Sequence, residues 1–267
     1  MARRGRTVGL VAIVVAVAAW CAAVPGALGA AGPSVAARPA AFDHSVWTEL
    51  LQKHVDEGGR VAYRNLAAQD GAKFERYLDQ LAEARPEALP TKEALAFYIN
   101  AYNAFAVEGV LEGLTAESIL SRARFFKLKS SRLAGREVTL EEIEQKLIRP
   151  NFSDARIHFA LVCASASCPR LARRAYTGEN LDAMLEDQGR WFLADRARNP
   201  LGIGNVVTVS SIFDWYESDF RAAAGSVQAF IARYAGPSGA ACLQKANCTL
   251  QYARYDWTLN AQPGLRP

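Results

Sequence analysis

The chain is 267 residues long, 51% hydrophobic and 22% charged, with a formal net charge of +4. That composition excludes a disordered or fibrous chain and leaves enough apolar residues for one sizeable buried core. Arg3, Arg4 and Arg6 account for most of the charge excess: without them 28 basic residues face 27 acidic ones, a balance that gives no electrostatic reason to expect nucleic acid or an anionic membrane as a partner.

Those three arginines precede Val8–Val24, an apolar run without a charge, followed by Pro25, Gly26 and the small residues Ala27 to Ala30. This is the pattern of a signal peptide over residues 1–29, cleaved near residue 29 or 30. Trp20 before Cys21 argues against a lipoprotein box. The expectation is export to a periplasm, a cell surface or the medium, with no integral membrane association after cleavage. Residues 30–41 read as a flexible leader, 42–260 as one domain and 261–267 as a tail. Four cysteines follow the apolar run, an even number that permits disulfides in an oxidising compartment.

In chain order the periodicity predicts helices over Ser45–Asp56, stopped by Gly58-Gly59, around Phe74–Leu81, and over Thr91–Leu111, the longest. Val61–Tyr63 is a short strand candidate. Thr139 and Glu142 form a capping box, in which the threonine hydroxyl accepts from the third backbone N–H and the glutamate reaches back; it opens a helix to Ile148. Arg156–Val162 is an apolar run of strand length. Glu179–Ala194 is a helix, Val206–Val209 a strand, Ile212–Phe220 and Val227–Tyr234 short helices, and Tyr252–Leu259 a final strand. The fold class is therefore α+β: a helix-rich single domain with a small, mostly antiparallel sheet.

The run from Arg156 opens at Cys163 into small residues, Ala164 to Ser167, and closes on Cys168-Pro169. A cysteine nucleophile needs a depressed pKa, and His158 is the obvious base. On an extended chain five residues span roughly 16 Å and an odd separation sends the two side chains to opposite faces. A His158–Cys163 pair therefore requires a bend after Val162. The alternatives are a strand-end histidine with small buried cysteines, or a Cys163–Cys168 disulfide, whose short loop suits a redox switch better than a staple. Cys242 and Cys248 read as a structural disulfide. The cysteines and histidine lack zinc-site spacing, so no metal and no cofactor is expected.

Asn100 and Asn103 lie on one face of an otherwise apolar helix, where an unpartnered amide costs on the order of 1–3 kcal/mol. Their partner is either a neighbouring loop backbone or His158, the latter giving a Cys-His-Asn arrangement. Asp214 is a candidate carboxylate, with a solvent-facing first-turn acid as the plainer reading. Tyr98, Ser165, Ser167 and Cys168 complete the candidate binding residues.

The blocks Tyr98–Asn103, His158–Pro169, Ser211–Tyr216 and Tyr255–Asn260 together resemble the DUF547 family, a domain of unknown function, in matching order from about residue 42 to 260. The resemblance implies one domain, often exported in bacteria and, in eukaryotes, found beside other modules including glutaredoxin-like ones. It brings no established reaction. Family members with serine at the position of Cys168 count against an obligatory Cys163–Cys168 disulfide. Two functions follow as expectations. One is a thiol-dependent hydrolase or acyltransferase, with Cys163 as nucleophile, His158 as base and Asn100 or Asn103 as the orienting amide. The other is a non-catalytic exported domain that binds a small molecule or peptide. A redox-active dithiol at Cys163 and Cys168 is a third version.

Overall fold

The computed structural model describes residues 41–202, 204–236, 242, 243, 245 and 247–267. The expected signal peptide and all but the last residue of the expected leader lie outside the described residues. Helix α1 (Ser45–His54) buries Trp47, Leu50 and Leu51 against α2 (Tyr63–Glu83), where the Trp47 ring stacks on Tyr77 with centroids 5.6 Å apart. The expected strand at Val61–Tyr63 is reduced to single bridges from Val61 to Val55 and Ala261, because Tyr63 already opens α2. Between α1 and α2 the chain turns through Gly59, whose φ of +78° suits glycine; a Cβ there would lie 2.4 Å from that of Arg170.

Helix α3 (Thr91–Leu111) is the axis of the main core. It is apolar nearly all round because it is surrounded: by length and composition it could cross a membrane, yet 83% of its apolar window is buried inside the domain. A short helix α4 (Ile119–Ala123) continues into a π-helical turn at Arg124–Leu128. The chain then forms an antiparallel hairpin of β1 (Ser130–Leu133) and β2 (Arg136–Thr139), with Ser130 opposite Thr139. The capping box closes as the sequence predicts: Glu142 N donates to Thr139 Oγ1 at 3.2 Å, and Thr139 N to Glu142 Oε2 at 3.1 Å. It starts α5 (Leu140–Glu142), which widens into a π-helical turn over Ile143–Ile148.

The run at Arg156–Val162 is not a strand. Ala155–Phe159 forms a 3₁₀ turn and the chain then passes through Leu161 and Val162 without a ladder. The physical reason is its position between two cores. Ile157, Ala160, Leu161 and Val162 pack on the α3 side, whereas Phe159 enters an aromatic cluster with Phe192, Phe213 and Phe220. A segment buried on both sides shows no alternation, so its apolar run fits a strand or a buried turn equally well.

Helix α6 (Leu181–Ala194) carries Phe192 into the second core. Strand β3 (Val206–Ser210) pairs in parallel with β4 (Thr249–Ala253), Val206 opposite Thr249 and Ser210 opposite Ala253. The last strand thus ends at Ala253 instead of running over Tyr252–Leu259. The expectation of a mostly antiparallel sheet is also corrected: the described residues hold two two-stranded sheets, one antiparallel and one parallel. The expected helix Ile212–Phe220 breaks at Tyr216 into α7 (Ile212–Trp215) and α8 (Glu217–Ala224), followed by α9 (Val227–Ala232). Before β4, Cys242 and Cys248 form the disulfide expected of them.

Candidate functional site

Where the two cores meet, a cavity of about 230 Å³ opens to solvent. His158, Cys163 and Cys168 line it from the turn and its loop, Glu144 from the π-helical turn after α5, and Tyr216 from the break between α7 and α8. The loop bends sharply after Val162: Ala164 adopts the left-handed region with φ +57°. A non-glycine residue held there stores strain of the kind that gathers at functional sites. The bend lets Cys163 and Cys168 meet in a disulfide, with Cα atoms 6.2 Å apart.

The two asparagines take the backbone role. Asn103 Nδ2 donates to Ala160 O at 2.9 Å, and its Oδ1 accepts from Val162 N at 2.9 Å. Asn100 does the same for Tyr176, donating to its carbonyl at 2.7 Å and accepting from its N–H at 3.0 Å. Each side chain replaces the ladder partner that its irregular segment lacks. Both amides are thereby occupied by backbone, and neither is hydrogen-bonded to His158.

The partner of His158 is Asp219, in α8, whose Oδ2 lies 2.9 Å from Nε2. Arg149 grips the same carboxylate with a fork, Nε to Oδ2 and Nη2 to Oδ1, both at 2.7 Å. Hydrogen bonds from His158 and Arg149 hold the Asp219 carboxyl well below the usual carboxylate range, while burial pushes the His158 pKa down. At neutral pH the pair is therefore a neutral imidazole donating Nε2–H to an aspartate, which leaves Nδ1 as the basic atom. Among the described residues Nδ1 has no hydrogen-bond partner. Tyr216 stacks on the ring at 3.8 Å between centroids, and its phenol faces the buried Glu144 carboxyl, whose pKa burial raises.

Donors surround both sulfurs of the disulfide. Cys168 Sγ accepts from the backbone N–H of Cys163 at 2.9 Å, while the Ser165 and Tyr255 hydroxyls lie within reach of either sulfur, 3.4 and 3.2 Å from Cys168 Sγ and 3.1 and 3.4 Å from Cys163 Sγ. Cys168 is 2% exposed, whereas Cys163 is only partly buried. Ser167 pins the loop differently, its Oγ accepting from Asp256 N at 2.9 Å. Outside the cavity lie Tyr98, half-buried against Phe97 and Phe152, and Asp214, an exposed acid beside the lining residue Trp215. At the mouth Trp215 and Trp257 stack at 5.6 Å, and Arg122 lies over Trp257 at 4.5 Å. Among the described residues no cluster of three or more His, Cys, Asp and Glu side chains is placed to hold a metal ion.

Residues 86–193 match a family described as protein of unknown function, DUF547. That span is a DUF547 domain. The matched span runs from before α3 to near the end of α6 and includes Asn100, Asn103, Glu144, His158 and both cavity cysteines. Tyr216, Tyr255 and Trp257 complete the cavity from outside it, and Asp219, the partner of His158 behind the lining, also lies outside it. No curated protein and no solved structure matches the chain.

Sequence reasoning passed over Asp219, Glu144, Tyr216 and Tyr255 as site residues. Glu144 carried a signal, since it occupies an apolar stripe with Leu140, Ile143, Leu147 and Ile148 at helical spacing, where a carboxyl is out of place. Asp219 carried none that separates it from Asp214, five residues earlier, because the break at Tyr216 decides which acid faces His158.

Proposed function

We propose that the DUF547 domain of this chain is a thiol–disulfide exchange protein acting on a dithiol ligand. The observation that carries this reading is the uneven setting of the cavity disulfide: Cys163 is partly open, whereas Cys168 is buried and its sulfur alone accepts the Cys163 N–H, with the Ser165 and Tyr255 hydroxyls in reach of both sulfurs. Exchange proceeds by thiolate attack on one sulfur and departure of the other as thiolate, faster when the leaving thiolate is stabilised. In this site His158 Nδ1 takes the proton of an incoming thiol, whose sulfur attacks Cys163 Sγ. The electron pair of the S–S bond leaves on Cys168 Sγ, where the Cys163 N–H and the Ser165 and Tyr255 hydroxyls receive it, and a proton follows. The ligand's second thiolate then attacks its own sulfur in the mixed disulfide and releases Cys163, which takes up the second proton. The ligand dithiol is oxidised to a disulfide, and Cys163 and Cys168 are reduced to thiols.

The His158–Asp219 pair favours a second reading for the reduced state. With Cys163 free in the same cavity, the three residues supply the groups of a Cys-His-Asp hydrolase or acyltransferase, in which Asp219 takes the orienting place expected of Asn100 or Asn103. Both readings are met by one experiment. The protein is equilibrated in graded dithiothreitol redox buffers, trapped with iodoacetamide and mapped by mass spectrometry. Exchange requires Cys163–Cys168 to open with the fold intact and before Cys242–Cys248, and Cys168→Ser to take a stable mixed disulfide on Cys163 from oxidised glutathione, a monothiol disulfide that leaves no second thiol to resolve it. A Cys163–Cys168 bond that opens only with global unfolding is a staple and ends the proposal. Ester hydrolysis that persists in Cys168→Ser and vanishes in Cys163→Ser selects the hydrolase.

A further inference from the structure

Helix α4 and the π-helical turn after it carry the three most exposed large hydrophobic side chains among the described residues: Ile119 at 81%, Leu128 at 72% and Leu120 at 64%. A single exposed leucine needs no explanation, but three within ten residues of one helical segment do. The segment's own charges are all basic, although Glu117 directly precedes it, paired with Arg266. Between Ser118 and Leu133 it holds Arg122, Arg124, Lys127, Lys129 and Arg132 and no acidic residue. Lys127 pairs with Glu141 at 3.0 Å, and Lys129 with Glu112 at 2.7 Å. Arg124 and Arg132 have no acidic partner among the described residues. The balanced charge outside the first six residues conceals this local excess.

We infer that residues 118–132 dock the domain on an anionic lipid surface. Apolar side chains interleaved with cations on a short helical segment suit the bilayer interface: the former enter the acyl boundary and the latter meet anionic headgroups. An acidic protein surface would engage the cations but offers Ile119, Leu120 and Leu128 no apolar phase. The patch is also continuous with the mouth of the cavity. Phe126 and Lys127 line that cavity, and Trp257 bridges the two, 6.5 Å from Phe126 and beneath Arg122. Docking by this segment brings the opening beside the bilayer, so the ligand class it favours is one borne on a membrane. The inference is independent of thiol exchange.

The test is hydrogen–deuterium exchange of the full chain with phosphatidylcholine vesicles, with and without phosphatidylglycerol. Its readout is local, which separates this segment from the apolar run at Val8–Val24. The expected result is at least tenfold slower exchange over 119–128 with the anionic vesicles only, abolished in Leu120→Asp/Leu128→Asp and reduced in Arg124→Glu. Protection confined to residues 8–24, or unchanged by either variant, overturns the inference. Loss in Arg124→Glu with none in the leucine double variant overturns it in favour of an acidic protein partner.

Discussion

Replacing Asn103 by alanine tests the division of labour between the site's backbone and its chemistry. The side chain is buried in α3 and satisfies two buried groups of the neighbouring segment, the Ala160 carbonyl and the Val162 N–H. An unsatisfied buried group costs about 1–3 kcal/mol, so two cost about 2–6 kcal/mol. Alanine returns up to about 0.7 kcal/mol through its higher helix propensity. The net expectation is a loss of roughly 1–5 kcal/mol, a large share of a total stability of about 5–15 kcal/mol. Urea unfolding followed by tryptophan fluorescence with the disulfides intact measures it, and Asn100→Ala, which strands both groups of Tyr176, should behave alike. A loss below about 1 kcal/mol for Asn103→Ala, joined to a change in the His158 titration, would refute the backbone assignment and return the amide to the histidine.

Acidification should destabilise the domain in two stages. The folded pKa values of His158 and His44 are lowered, His44 to about 3, chiefly by burial, so the unfolded chain binds more protons once pH falls below the ordinary histidine value near 6.5. Asp219 is also depressed, by His158 and Arg149; its contribution is present above the ordinary carboxylate value and lost as pH falls through its folded pKa. Thermal unfolding across pH 1–8 should therefore show a shallower limb below the ordinary carboxylate value in Asp219→Asn, with the histidine limb above it kept, and an unchanged lower limb would contradict the pair. Thr139→Ala removes the cap that starts the segment bearing Glu144 and should cost about 1 kcal/mol in urea unfolding. Gly59→Ala forces a Cβ within 2.6 Å of the Arg170 backbone at a left-handed φ. It should lower Tm and speed opening of the neighbouring Cys163–Cys168 disulfide, measured by alkylation.

The parts of the fold legible in the sequence are those whose side chains face one core. Helices α1 and α2 show their apolar spacing plainly, and the capping box at Thr139 and Glu142 is local chemistry that tertiary contacts leave alone. The segment from Ala155 to Val162 was illegible because it faces two cores, which erases the period that separates turn from strand. The cysteine loop, His158 and the buried asparagines could be singled out as costly polar groups in apolar surroundings. Their partners could not, because the acid that meets His158 lies 61 residues away and is chosen by the break at Tyr216.

The loop that carries the disulfide is closed by a distant part of the chain. Asn260 N donates to Ala164 O at 3.0 Å, its own carbonyl accepts from Val61 N at 2.9 Å, and its side chain accepts from Tyr63 Oη at 2.6 Å. Residue 260 thus clasps the start of α2 to the strained bend of the loop. During synthesis, domains tend to form from the N-terminal side, yet a chain whose residue 260 is still inside the ribosome has both cysteines free and nothing to seat the bend between them. Correct pairing of Cys163 with Cys168 is thereby tied to the emergence of residue 260, and a nascent chain stalled before that point is the form most exposed to cross-linking with the wrong thiol.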